Sequence, residues 1–156
     1  MLLYIKKMTT QKLIESAILN EFDLNCKYSE TMQRIINELY QRHSILYDKM
    51  VKSLSPHDFL PTFCAISDEI FEDGEVNWGR VAALFCFINQ MSSSNISHSN
   101  FIKSYVDQKL GGWMEKNGGW NGFVEFFSVS KGVPQARLLA YTILGMGTIA
   151  FAVYRK

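Results

Sequence analysis

The side chains of this 156-residue chain that could do chemistry are few and scattered. His43, His57 and His98 fall in three separate segments, with no His-x-x-x-His and no Cys-x-x-Cys, so the spacing builds no metal site. Cys26, Cys64 and Cys86 are odd in number and lie in apolar helical runs, where a thiol behaves as a small hydrophobe; a reducing compartment without disulfides is expected. No nucleophile elbow, phosphate loop or Gly-x-Gly-x-x-Gly occurs. The paired carboxylates Asp68-Glu69 and Glu72-Asp73 read as a solvated helix face beside a turn. Together these features predict a protein that is not an enzyme and takes no metal and no cofactor. What remains is Asn77-Trp78-Gly79-Arg80: an amide placed to cap a helix, an aromatic, a residue without a side chain, and a guanidinium.

The elements that must position this tetrapeptide read as helices throughout. Leu13, Ile14, Ala17, Ile18, Phe22 and Leu24 recur at helical spacing from Thr10 to Asn25, with Thr9 or Thr10 available as the cap. Tyr28, Met32, Ile35 and Leu39 continue the pattern on a second helix to about Met50. Ser55-Pro56-His57-Asp58 has the form of a helix start, leading into Phe59, Leu60, Phe63, Cys64, Ile70 and Phe71 before Gly74. From Trp78 to Met91 nearly every face is apolar, which is the pattern of a helix surrounded by others. Phe101 to Met114 forms another stripe, Gly118-Gly119 ends it, and a short helix follows from Trp120 to Phe127. The fold class is therefore all-α, with about eight helices in the whole chain.

Composition sets further bounds. With 47% hydrophobic and 20% charged residues the chain is one domain with a single core, residues 1–132, followed by a tail, 133–156. The net charge of +1 provides no field that would favour nucleic acid. No apolar run near the amino terminus is long enough for a secretory signal, so synthesis in the cytosol is expected. Leu138 to Tyr154 carries no formal charge and is bracketed by Arg137 and by Arg155-Lys156. As a helix it would span roughly 25 Å against a hydrocarbon core of ~30 Å, so a carboxy-terminal membrane anchor is expected about 138–154. A helix apolar on all sides must be buried somewhere, and a groove on the bundle is the alternative to the membrane.

Two segments carry a family resemblance. Phe71-Glu72-Asp73-Gly74-Glu75-Val76-Asn77-Trp78-Gly79-Arg80-Val81 resembles the first homology motif of the Bcl-2 family, and Trp113-Met114-Glu115-Lys116-Asn117-Gly118-Gly119-Trp120-Asn121-Gly122-Phe123-Val124-Glu125-Phe126-Phe127 resembles the second, in the family's order and spacing. The resemblance implies a Bcl-2-like bundle around a hydrophobic central helix and a groove that binds the amphipathic death-motif (Bcl-2 homology 3) helices of pro-apoptotic partners. It assigns Arg80 to a partner's aspartate, Gly79 to close approach of the partner helix, and Asn77 to the same motif. Phe63, Ile70, Phe71, Val81, Leu84 and Phe85 are the candidate groove residues, and Trp120, Phe123 and Phe127 the candidate groove end.

The chain departs from the family at its own death-motif segment, Tyr28 to Leu39. There the pattern Leu-x-x-x-Gly-Asp is matched by Met32, with Ile36 and Asn37 in the last two places. A bulky side chain and a neutral amide both weaken this helix as a donor to another groove, while Met32, Ile35 and Leu39 can still pack at home. The expectation is a pro-survival regulator of apoptosis that sequesters partner helices and inhibits permeabilisation of the mitochondrial outer membrane. The Arg80-Val81-Ala82-Ala83-Leu84-Phe85 run and the basic end of the tail are closer to the family's pore-forming effectors, which is the alternative. Expected sites of residence are the cytosolic face of the mitochondrial outer membrane, the endoplasmic reticulum membrane, and the cytosol when the tail is sheltered; homodimerisation is left open.

Overall fold

The computed structural model describes residues 2–52, 59–91 and 96–128. Six α-helices and one 3-10 turn lie among these residues: α1 (Leu2–Leu19), α2 (Lys27–Lys52), α3 (Phe59–Ile70), α4 (Trp78–Gln90), the 3-10 turn Ile96–His98, α5 (Ser99–Lys116) and α6 (Gly119–Phe126). The all-α expectation holds. The expected helix start at Ser55 to Asp58 and the expected anchor at 138–154 lie outside the described residues, as does the boundary near residue 132. Among the described residues no helix is long and apolar enough to cross a membrane.

Helix α4 organises the bundle because its sequence leaves it no polar face. All its residues from Trp78 to Asn89 are buried, and α1, α2 and α3 each pack against it. A helix apolar all round gains only by being enclosed, each large side chain contributing about 1.5–3 kcal/mol on burial. From α2, Met32, Ile35, Ile36 and Leu39 enter this core, and α1 adds Leu13, Ile14, Ala17 and Ile18. Helix α2 bends at His43, whose φ of −129° and ψ of 26° leave helical geometry, so its last turns take a new direction.

The first helix differs from its expected span. It begins at Leu2, not near Thr10, and stops at Leu19, not Asn25. Thr9 and Thr10 are interior helical residues; the Thr10 hydroxyl is buried and accepts a 2.9 Å bond from Trp120 Nε1. Asn20 ends the helix by taking φ +54°, a left-handed conformation that asparagine tolerates at a helix terminus. Leu24 consequently lies outside the core at 62% exposure. Asp23 Oδ1 then accepts the Asn25 N–H at 2.9 Å, turning the chain into α2.

Helices α5 and α6 meet at a tight corner made by glycines. Gly118 has φ +87° and Gly119 φ +60°, both in the region that disfavours a side chain. Gly122 has a different role. A Cβ there would collide with the Asn117 carbonyl oxygen and lie 3.3 Å from the Trp78 ring, so its missing side chain lets α6 close onto α5 and α4. By contrast Gly112 sits inside α5 with open space around it.

These two glycines predict opposite effects. Gly122→Ala should destabilise by about 1–3 kcal/mol through overpacking against backbone. Gly112→Ala should stabilise by roughly 0.5–1 kcal/mol, since alanine lowers the entropy lost in a helix without meeting a neighbour. Thermal melting of the two variants checks this; an unchanged melting temperature for Gly122→Ala would mean that the corner relaxes freely.

Candidate functional site

The site begins with a cap. Asn77 has extended backbone, and its Oδ1 accepts the Arg80 N–H at 2.8 Å, satisfying one of the donors left free at the start of α4. This places Trp78, Gly79 and Arg80 in the first turn. Ahead of them the chain reverses through Phe71 to Gly74, closed by a 2.9 Å bond from Gly74 N–H to the Phe71 carbonyl, with Gly74 at φ +77°. Asp73 Oδ1 accepts the Glu75 N–H at 2.9 Å, and the turn carries the Asp73 carboxylate back over Arg80.

Arg80 is not a solvated charge at a rim. It is 4% exposed, and its guanidinium is already engaged within the chain. Nη1 donates to Asp73 Oδ1 and, at 2.7 Å, to the Glu75 carbonyl; Nη2 donates to Asp73 Oδ2 at 2.8 Å. This is a fork-on-fork pair with one buried and one half-exposed partner. A buried guanidinium needs such a partner, because removal of one member leaves a charge without solvent or counter-charge. Arg80 Nε is nevertheless buried with no hydrogen-bond partner. An unmet buried donor costs about 1–3 kcal/mol, so the site holds one unused N–H inside the protein.

The expected groove residues are placed unevenly. Val81, Leu84 and Phe85 are fully buried on α4, Ile70 and Phe63 fully buried on α3, Gly79 buried, and Asn77 and Phe71 half-buried. Phe63 packs against Phe59, Phe87 and Tyr105, with ring centroids 6.4, 6.3 and 5.4 Å away. Since Phe87 is roughly two turns beyond Arg80, Phe63 belongs with the distal half of α4. Trp120, Phe123 and Phe127, the expected groove end, are all buried. They form an aromatic cluster with Trp78, whose ring lies 4.7 Å from Trp113, 6.5 Å from Trp120 and 5.7 Å from Phe123; Phe85 adds an edge contact to Trp120 at 5.4 Å. The two sequence motifs, far apart in the chain, therefore touch through Trp78 on one side and Trp113, Trp120 and Phe123 on the other, with Phe85 adding a contact from further along α4.

Two carboxylates read as solvated surface prove to be structural. Asp73 holds Arg80, and Asp68 accepts the Tyr105 hydroxyl at 2.7 Å with Lys109 Nζ 3.6 Å away, fastening α3 to α5. Neither pairing follows from helical spacing, because one crosses a turn and the other joins distant helices. The Asp-Gly sequence before the Asn77 cap is the signal that could have located the first. Cysteine chemistry is subdued: burial raises the Cys86 thiol to about 12, and burial also raises Cys64.

The hydrogen bond from Arg80, helped by the Glu75 N–H, holds the Asp73 carboxyl well below the ordinary carboxylate range. A depressed folded-state value means that this stabilisation is fully present above the unfolded value and is lost as pH falls through the folded one. The pair should thus survive mild acid. Carbon NMR of the Asp73 carboxyl is expected to show no titration between about pH 5 and pH 3, where a free aspartate titrates. A midpoint near 4 would mean that Asp73 does not hold Arg80.

Known proteins resemble this chain across the same region. The sequence model of the Bcl-2 family of apoptosis regulator proteins matches residues 32–120, more than half of the chain and inclusive of α4 with its Asp73–Arg80 pair. The apoptosis regulator BAX of Bos taurus is 25% identical over 139 residues, covering 83% of this chain and 69% of that protein. The apoptosis regulator Bcl-2 of Gallus gallus is 33% identical over 86 residues, covering 49% of this chain and 36% of that protein. Bcl-2-related protein A1 of Bos taurus is 31% identical over 83 residues, covering 45% of this chain and 47% of that protein. With a capped central helix enclosed by a helical bundle and a family match across most of that bundle, this chain belongs to the Bcl-2 family of apoptosis regulators.

Proposed function

We propose that this protein is a pro-survival regulator that captures the amphipathic death-motif helices of pro-apoptotic partners at the Arg80 end of α4. It does so as a non-enzymatic binder held at the mitochondrial outer membrane, or the endoplasmic reticulum membrane, by the tail at 138–154. The observation that carries the pro-survival polarity is the state of α2. Met32, Ile35, Ile36 and Leu39 are all buried, and Asn37 is exposed where a donor helix would need a carboxylate. Further bonds fix α2 in place: Tyr28 donates to Asn121 Oδ1 at 2.8 Å, and Arg34 Nη2 donates to the Phe127 carbonyl at 2.7 Å. A helix so committed to its own core, and lacking the charge another groove would read, serves better as a wall than as a ligand.

Recognition of the partner follows from ordinary helix-in-groove physics. Apolar anchors spaced along the partner's face would displace side chains packed around Val81, Leu84 and Phe85, and the partner's aspartate would find Arg80. Because these residues are buried, capture requires the groove to open, so affinity is the gain from the partner's anchors less the cost of that opening. A second reading has specific support: the similarity to BAX extends over 83% of the chain, whereas those to two Bcl-2 proteins extend over 49% and 64%. It makes the protein a membrane-permeabilising effector that would oligomerise through α2.

Arg80→Ala should weaken binding of a fluorescent death-motif peptide by about tenfold or more, equal to ~1.4 kcal/mol, with thermal melting used to verify that the variant is folded. Unchanged affinity would remove Arg80 from the site. Polarity is read by dye release from liposomes of mitochondrial outer-membrane composition. The expected result is peptide binding, no release by the protein alone, and suppression of release by an added effector; release by the protein itself would establish the effector reading.

A further inference from the structure

The Arg80 guanidinium offers more donors than the chain uses. A guanidinium has two fork-shaped edges, the end formed by Nη1 and Nη2 and the side formed by Nε and the outward N–H of Nη2, and each can grip a carboxylate with two parallel bonds. Asp73 occupies the end, through Nη1 to Oδ1 and Nη2 to Oδ2. The Glu75 carbonyl takes the remaining Nη1 hydrogen. What is left is the side edge, and its Nε is buried without a partner. The Arg80 side chain is 5% exposed and Asp73 54%, so the anchored edge faces the wet turn while the unused edge lies inside the protein.

Resting on the proposed capture of death-motif helices, we propose that Asp73 is a positioning residue that holds Arg80 by its end so that the Nε–Nη2 side edge receives the carboxylate of the bound helix. Asp73 is not a competitor to be expelled. In the bound state the guanidinium lies between two carboxylates, one from the Asp73 turn and one from the ligand, and its buried Nε finds the acceptor it lacks in the free protein. Two features of the turn favour this arrangement. Asp73 Oδ1 is itself fixed by the Glu75 N–H at 2.9 Å, and the Asn77 side chain holds the Arg80 backbone at 2.8 Å. The arginine is thus restrained at both ends, which lowers the ordering cost of docking a carboxylate. Specificity then becomes a property of the turn: a ligand helix with a neutral amide in the same place can accept from Nε but brings neither an opposite charge nor a second oxygen for the fork.

The test uses the full chain and two fluorescent helical peptides that differ only by Asp or Asn at the residue following the apolar anchors. Wild-type protein should prefer the Asp peptide. Asp73→Ala should lower affinity for the Asp peptide about fivefold while leaving the Asn peptide within about twofold, so that discrimination shrinks. Asp73→Asn, which keeps one acceptor for the guanidinium, should fall between. Because either variant leaves the buried guanidinium without its counter-charge, both should melt below wild type, and affinities are compared at a temperature where circular dichroism shows each variant to be folded. Equal or tighter binding of the Asp peptide by Asp73→Ala would overturn the positioning role and make Asp73 a competitor. Binding of both peptides alike by wild type would leave helix capture standing and remove the side edge as its carboxylate receptor. Binding of neither would overturn the proposed function together with this inference.

Discussion

A helix without a solvent face imposes the rest of this fold. From Trp78 to Asn89 every residue of α4 is buried, so the protein is stable only while other helices enclose it. That constraint explains why α1 and α2 place their apolar stripes where they do, and why α6 turns back through a glycine corner to bring Trp120 and Phe123 against Trp78 and Phe85. It also links packing to function. A side chain that would greet a partner helix is the same side chain that closes the core, and any partner must substitute for the contacts it displaces.

The same enclosure gives the one buried cation on α4 its properties. A guanidinium withdrawn from water is tolerable only with a carboxylate and a carbonyl in reach, and the Asp73 turn supplies the carboxylate while Glu75 supplies the carbonyl. The pairing is asymmetric, since Asp73 stays half exposed while Arg80 does not. This asymmetry keeps one fork satisfied from the solvent side and leaves the buried Nε as an unspent donor.

Much of this was legible in the sequence because α4 and its cap are local features. The apolar run from Val81 to Ile88 and the Asn-Trp-Gly-Arg start specify a buried helix and its first turn, and the Asn77 side chain caps it as expected. Other features depend on tertiary contact and were not legible. Thr9 and Thr10 have the form of a cap, yet the helix runs through them because Thr10 is buried and bonded to Trp120 on a distant helix. Gly111-Gly112 stays helical although glycine is a poor helix former, held by the flanking Leu110 and Met114 in the core. The Asp73–Arg80 pair spans a turn, where neither helical nor strand periodicity brings side chains together. At the site, residue types were readable but their state was not: periodicity identifies Leu84 and Phe85 as apolar without saying whether they line an open groove or a closed core.

The central claim is that Arg80, restrained from within, is the point at which a partner helix is read. Nitrogen–proton NMR of the Arg80 Nε–H group in the full chain tests it most directly, because that proton is buried and unpaired in the free protein. Its resonance should shift on addition of a death-motif peptide carrying aspartate and move much less with the asparagine counterpart. A peptide that binds while the Arg80 Nε–H resonance stays in place would contradict it.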